Sequence, residues 1–303
     1  MIDQRKKTLE KAAHLSHDCD SSGKSLWFYA WLRLKNNKLA VTSGLVLFVM
    51  IIFLIGGTYF SPYAIEFIDW DNMSIPPDFA SKHYFGTDAM GRDLYVRILH
   101  GGRISLLVGF IATLVSLVIG VTYGAIAGYM GGKIDNIMMR IVDILYALPF
   151  LFLVIMLMVV FGRNIYLIFA AIGGYIWLDM ARIVRGQTLS LKRKEFVESA
   201  IAIGATTPVI IFKHIVPNLL GIVMVYVTLT IPQVILVESF LSFLGLGVQE
   251  PYTSWGALVN EGTIDMEIAP WSLIYPASFL AITLLCFNFI GDGLRDALDP
   301  KDN

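Results

Sequence analysis

Apolar residues along this chain gather into long continuous runs, separated by stretches where charge, Gly and Pro concentrate. Six runs are long enough to cross about 30 Å of hydrocarbon as helices. They are Leu39–Phe60, Leu106–Ile126, Ile141–Phe161, Ile165–Ile183, Leu219–Val237 and Trp271–Gly291. The pattern predicts an all-α polytopic membrane protein with six transmembrane helices and both termini on one side. Pro149 and Pro232 fall within or beside runs and predict bends. Ahead of the first run, Ser25–Asn36 (SLWFYAWLRLKN) is aromatic-rich and ends basic, so it reads as an interfacial helix or a simple juxtamembrane anchor. The resulting division is a tail at 1–38, a first span at 39–60, an outer loop at 61–103, a core at 101–292 and a second tail at 293–303.

Composition agrees with the runs. The 303 residues are 56% hydrophobic and 16% charged, more apolar side chain than a soluble domain of this size covers with its own polar surface. A net charge of −1 and no basic stretch interleaved with aromatics give no footprint for nucleic acid. The polar first residues lack the short apolar core of a signal peptide. Cys19 lies in that polar tail and Cys286 in an apolar run, an arrangement that does not suggest a disulfide framework.

Lys and Arg set the orientation. With the N-terminus cytoplasmic, inner segments hold 18 of the 23 basic residues and outer segments only Lys82, Arg92, Arg97, Arg103 and Arg163. Positive residues concentrate on the cytoplasmic side of membrane proteins, so both termini are expected there.

The inner connection between the fourth and fifth runs is far longer than a turn requires. It reads RGQTLSLKRKEFVESAIAIGATTPVIIFKHIVPN from Arg185 to Asn218. Glu195–Ile203 predicts a short helix with Phe196, Ala200 and Ile203 on one face. Gly204 stands where a left-handed residue would end it. Thr207 as N-cap and Pro208 at the first helical position predict a new helix, and Pro217 an interruption near the membrane surface. Small residues (Ser199, Ala200, Ala202, Gly204) leave room for another protein's surface to approach. Spacing alone leaves two readings open: a dock that passes a push to the spans, or an amphipathic loop resting on headgroups.

Glu198-Ser199-Ala200, Gly204 and Pro217 resemble the EAA loop of permeases of ABC importers, with Ser199 for the second Ala, His214 for a frequent Ile and Val216 for Leu as departures. HIVPN at 214–218, HYFGTDAMGRD at 83–93, GGRISL at 101–106, LDMARIVRGQTLSLKRK at 178–194, ESFLSFLGLG at 238–247, SWGAL at 254–258 and NFIGDGLRDALDP at 288–300 are similar to the oligopeptide and dipeptide branch of that family. The resemblance covers most of the chain. It implies a type I ABC importer permease fold in the inner membrane. It also implies a homologous B-type permease as partner, two ATP-binding subunits carrying ATP and magnesium, an extracytoplasmic peptide-binding protein and a peptide substrate. Residues Glu195, Glu198, Ser199, Ala200, Gly204, His214 and Pro217 would then form the ATPase-coupling loop.

Other constellations weigh less. Gly120, Gly124 and Gly128 form a small-residue ridge for close helix packing, within this chain or against a partner. Gly86-Thr87-Asp88 and Gly91-Arg92-Asp93 read as tight turns feeding an amphipathic helix from about Asp93, either a cap tied by Asp–Arg pairs or a contact for the binding protein. Asp143 and Glu238 lie near predicted span ends, within reach of water or an Arg. Asp179, Arg182 and Arg185 on successive turns predict a charge network along one helix. Ser21–Ser25 (SSGKS) has Asp18 where a phosphate loop needs Gly, so ATP chemistry is expected in other subunits. The dispersed histidines and single cysteines give no metal or catalytic constellation, and no cofactor is expected in this chain. A secondary transporter would show charged pairs at mid-depth or two inverted halves with broken helices, and neither is evident. Removing the charges of Lys192, Arg193 and Lys194 together should leave topology intact, because neighbouring basic residues hold it. Cysteine-accessibility mapping that found the chain inverted would overturn that expectation.

Overall fold

The computed structural model describes residues 26–162 and 164–298. The polar tail, with Cys19, His14, His17 and the SSGKS stretch, lies outside them, as do Arg163 and Lys301. Among the described residues ten helices carry the fold. They are α1 (Leu26–Asn36), α2 (Lys38–Gly56, continued by a 3₁₀ turn to Phe60), α3 (Leu94–Met130), α4 (Gly132–Ala147), α5 (Phe150–Phe161), α6 (Ile165–Leu191), α7 (Glu195–Ala202), α8 (Thr207–Phe243), α9 (Trp255–Asp265) and α10 (Trp271–Leu298).

Among the described residues five helices are long and apolar enough to cross a membrane: α2, α3, α6, α8 and α10. The expected third span is not one helix. It is the pair α4 and α5, bent by 80° across Leu148–Pro149. Pro149 has no N–H to continue α4 and disfavours helical backbone in Leu148, which is extended at ψ 128°. The expected count of six is reached only by taking this bent pair as one span.

The second span also differs from its reading. No separate amphipathic helix precedes it; α3 is a single helix of 37 residues. Its first turns are buried all round (Leu94, Tyr95, Val96, Ile98 and Leu99), because the outer loop folds over them and α9 packs beside them. Arg103 fastens α2 to this helix. Its Nε donates to the Leu54 carbonyl at 2.6 Å and its Nη2 to the Ile55 carbonyl at 2.8 Å, satisfying two carbonyls at a helix C-terminus with a positive charge.

The Gly120, Gly124 and Gly128 ridge packs inside the chain, against α6. A Cβ on Gly124 would lie 2.4 Å from the Ala181 carbonyl oxygen, on Gly120 2.6 Å from the Met180 Cβ, and on Gly128 2.8 Å from the Arg185 carbonyl oxygen. Backbone meets backbone along three turns, which no other residue type permits. Gly124→Val should force α3 and α6 apart and cost at least about 2 kcal/mol. Gly186→Ala on the open side of α6, where nothing lies within 4 Å, should be neutral or slightly stabilising. Thermal unfolding of the detergent-solubilised protein compares the two, and equal Tm values would contradict the packing assigned to the ridge.

Candidate coupling site

The short helix α7 forms where Lys194 takes an extended backbone and Glu195 and Glu198 place negative charge in the first turn. It ends in a Schellman motif. The Gly204 N–H donates to the Ile201 carbonyl at 2.9 Å and the Ala205 N–H to the Ala200 carbonyl at 3.0 Å, with Gly204 at φ +85°. This is the left-handed position that glycine tolerates best. The next helix begins with Thr206, not Thr207, as its extended N-cap residue, and Pro208 falls in the first turn.

Pro217 does not interrupt that helix. The segment Ile210–Ile215 winds as a π-helix, and the Val216 N–H reaches back to the Ile211 carbonyl. The wider turn lets the helix run on through Pro217 as one span to Phe243. Half-buried His214 lies in this turn, and its carbonyl accepts from Asn218 Nδ2 at 2.6 Å.

The face of α7 turned inward also differs from its reading. Val197 and Ala200 are buried, in one cluster with Val121 and Ala125 of α3, Met180 and Val184 of α6, and Ile210, Ile211 and Ile215 of α8. Ala200 is small because its own bundle comes close, not to admit a visitor. Outward stand Glu195, Glu198, Ser199 and Gly204, with Phe196, Ile201 and Ile203, the last 83% exposed. A short helix is thus keyed to three long helices and offers an apolar outer side with two carboxylates. Lys192 steadies the approach: its Nζ donates to the Tyr129 carbonyl at the end of α3.

At the other end of α3, about 55 Å away for 37 residues, the second motif forms a clamp. Gly86 and Gly91 have φ +79° and +74°, and a Cβ on either would strike the backbone of Ile75 or Asp69. Thr87 and Asp93 pair across an antiparallel bridge. Asp93 caps α3, accepting from the Val96 N–H at 2.8 Å, and its other oxygen meets His83 Nδ1 at 2.8 Å. Burial raises the Asp93 pKa, against the Val96 and His83 hydrogen bonds that lower it. Asp88 accepts from the Met90 and Arg92 N–H groups and from Arg92 Nε and Arg97 Nη1, both side-chain bonds at 2.7 Å. Arg97 in turn grips Glu261 of α9 with two nitrogens, and Arg92 reaches Glu250 and Glu261. Burial works against the Arg92 charge, and Asp88, Glu250 and Glu261 outweigh it, so its pKa is raised.

Between the two ends, Glu238 is fully buried, contrary to its expected access to water or arginine. Its carboxyl takes Ser242 Oγ at 2.7 Å and Ser105 Oγ at 3.2 Å, and Ser254 Oγ joins Ser242 at 3.0 Å. No sequence signal pointed to these serines as its partners; they come from α3, α8 and the start of α9. Of the charges expected to interact along α6, Arg182 and Arg185 also form ion pairs between helices, to Asp143 and Asp135 of α4.

Residues 25–77 match the family model described as the N-terminal TM domain of oligopeptide transport permease C. Residues 120–301 match the model described as the binding-protein-dependent transport system inner membrane component. The chain belongs to this second family. Among relatives of these transport components, "Oligopeptide transport system permease protein OppC" of Haemophilus influenzae is 56% identical over 97% of this chain and 94% of its own length. The protein of the same name from Escherichia coli K12 is 56% identical over 98% of both chains, and that of Bacillus subtilis 45% identical over 98% and 97%. Among solved structures, a chain of the MetNI methionine ABC transporter in inward-facing form matches with a TM-score of 0.56 and 20% identity, over 68% of this chain and 96% of that one. That likeness carries the fold: a helical ABC permease core.

Asp88→Asn should lower stability by about 3 kcal/mol, because it leaves Arg92 and Arg97 short of a buried anion. Glu250→Gln, at a carboxylate 63% exposed, should cost no more than ~1 kcal/mol. Unfolding midpoints in detergent should fall in that order; the reverse order would contradict the clamp.

Proposed function

We propose that this chain is a transmembrane permease subunit of an ATP-driven ABC importer for oligopeptides, forming half of the pathway. In this reading it sits in the inner membrane beside a homologous permease, with two ATP-binding subunits inside and a peptide-binding protein outside. The observation that carries the substrate class is 56% identity, over nearly the whole chain, to proteins named as oligopeptide permeases. The chain itself does no chemistry on ATP; ATP and magnesium belong to the partner subunits.

The coupling element is α7. The basic-residue asymmetry supports a cytoplasmic position for it, and its geometry suits transmission. Its inner side is keyed to α3, α6 and α8 through Val197 and Ala200, so displacement of α7 displaces those helices. Its outer side, with Phe196, Ile201, Ile203, Glu195 and Glu198, is the surface an ATPase would seat. The clamp at 86–93 faces the binding protein in this arrangement and holds the outer loop rigid for it.

Gly204→Glu places a Cβ at φ +85° and a charge at the seat. It should leave the chain inserted while abolishing ATP-driven peptide uptake and peptide-stimulated ATPase activity in the reconstituted complex. Gly204→Asn, which tolerates the left-handed backbone, should keep most of both. Full transport by Gly204→Glu would remove α7 as the coupling element. Purification of the chain from its native membrane without a second permease, an ATPase or a binding protein would remove the importer reading itself.

A further inference from the structure

The spanning helix α6 and helix α4 of the bent pair each carry charge on an open face. On α6, Tyr175, Asp179, Arg182 and Gly186 recur at helical spacing, and Asp179, Arg182 and Gly186 are exposed. On α4, Asn136, Arg140, Asp143 and Tyr146 do the same, all exposed. The stripes meet where Arg182 Nη2 donates to Asp143 Oδ1 at 2.8 Å, with side chains 40% and 62% exposed. The Arg182 guanidinium lies 4.4 Å over the Tyr146 ring, and Tyr146 stacks on Tyr175 at 5.8 Å. A shallow groove of about 550 Å³ follows α4 past Asn136, Arg140 and Asp143.

This face has three possible neighbours. Lipid is the most costly: a charge at bilayer depth costs about 2.5–3.5 kcal/mol on the mildest scale, and four charges lie here. A permanent seat for the partner permease is also disfavoured, because the buried centres of interfaces are depleted in charge and a buried ion pair repays its desolvation poorly. A water-filled passage leaves the charges solvated. Arg140, Asp143, Asp179 and Arg182 sum to zero, so the face favours neither acidic nor basic cargo. It complements a molecule bearing one positive and one negative end. Among the described residues Asp143 and Arg182 share one hydrogen bond, from Nη2 to Oδ1, and both side chains are exposed, so the pair can open and exchange partners.

Resting on the reading above that the chain forms half of a peptide pathway, we propose that the Asp143–Arg182 pair is a contact site for the charged ends of the passing peptide. Arg182 takes the terminal carboxylate and Asp143 the terminal ammonium group, one end at a time, while Tyr146 and Tyr175 give side chains of any kind a flat surface. Such a site recognises what all free peptides share and ignores sequence.

The test uses the complete transporter in liposomes, with its binding protein and ATP, and three probes: trialanine, trialanine amide and N-acetyl-trialanine. The unaltered complex should import trialanine faster than either blocked form. Arg182→Gln should bring trialanine and its amide to within about twofold by slowing only the free acid, since a hydrogen bond to a charged group is worth about tenfold or more. Asp143→Asn should do the same for trialanine and its acetylated form. Restoring the pair in reverse (Asp143→Arg with Arg182→Asp) should not restore the preference. In a Cys19→Ser, Cys286→Ser background, Gly186→Cys should react with a water-soluble thiol reagent, more slowly while trialanine is being imported. Unchanged uptake ratios in the single variants, recovery by the reversed pair, or a Gly186→Cys closed to the reagent would each overturn the site. ATP-dependent import of none of the three peptides by the unaltered complex would instead overturn the peptide-pathway reading beneath it.

Discussion

Everything at the α7 end of the molecule depends on how closely α3 and α6 approach. Three glycines on consecutive turns of α3 let the backbone of α6 lie where side chains would stand. That contact brings Lys192 to the end of α3 and sets Arg185 against Asp135 of α4. It also forms two walls of the cleft into which Val197 and Ala200 of α7 insert, with α8 as the third. In a bilayer the apolar faces of helices gain little from meeting each other rather than lipid. Shape must then supply the attraction, and a groove floored by glycine supplies it.

The opposite end is built on another principle. There the chain spends backbone polar groups and charges in a dense loop, with Asp88 at the centre of two arginines and the loop's own N–H groups. The arginines continue to Glu250 and Glu261, which ties residues 86–97 to α9 and the segment before it. One end of the chain is therefore set by van der Waals fit and the other by electrostatics. Salt should weaken the exposed arms of the clamp, such as Glu250, and leave the glycine ridge unaffected.

How much of this was legible in the sequence follows from how local each cause is. Gly204 ends α7 because one residue must take positive φ, and a lone glycine after a short amphipathic stretch signals that directly. The first span, Gly86, Gly91 and the start of α3 at Asp93 were equally readable, for the same reason. The N-cap at Thr206 was misplaced by one residue because two threonines precede Pro208 and local rules rank them alike. Pro217 was misread because the compensating π-turn spreads over six residues with no signature of their own. The broken third span was half visible: Pro149 announced a bend but not its 80°. Glu238 was opaque altogether. Its burial is decided by serines at 105, 242 and 254, which nothing in their spacing connects to it.

The break at Pro149 also limits how far one continuous apolar helix reaches at this place. Helix α5 has 12 residues and so rises about 18 Å, little more than half of a hydrocarbon core of about 30 Å. Its partner α4 turns aside and carries Asn136, Arg140 and Asp143 along its open side. Taken as one span, the pair is strongly apolar over the length of α5 only. This short apolar helix is joined to its amphipathic neighbour through Leu148 and Pro149 alone, so the whole change from mixed to uniformly apolar side chains along the pair is concentrated at one bend.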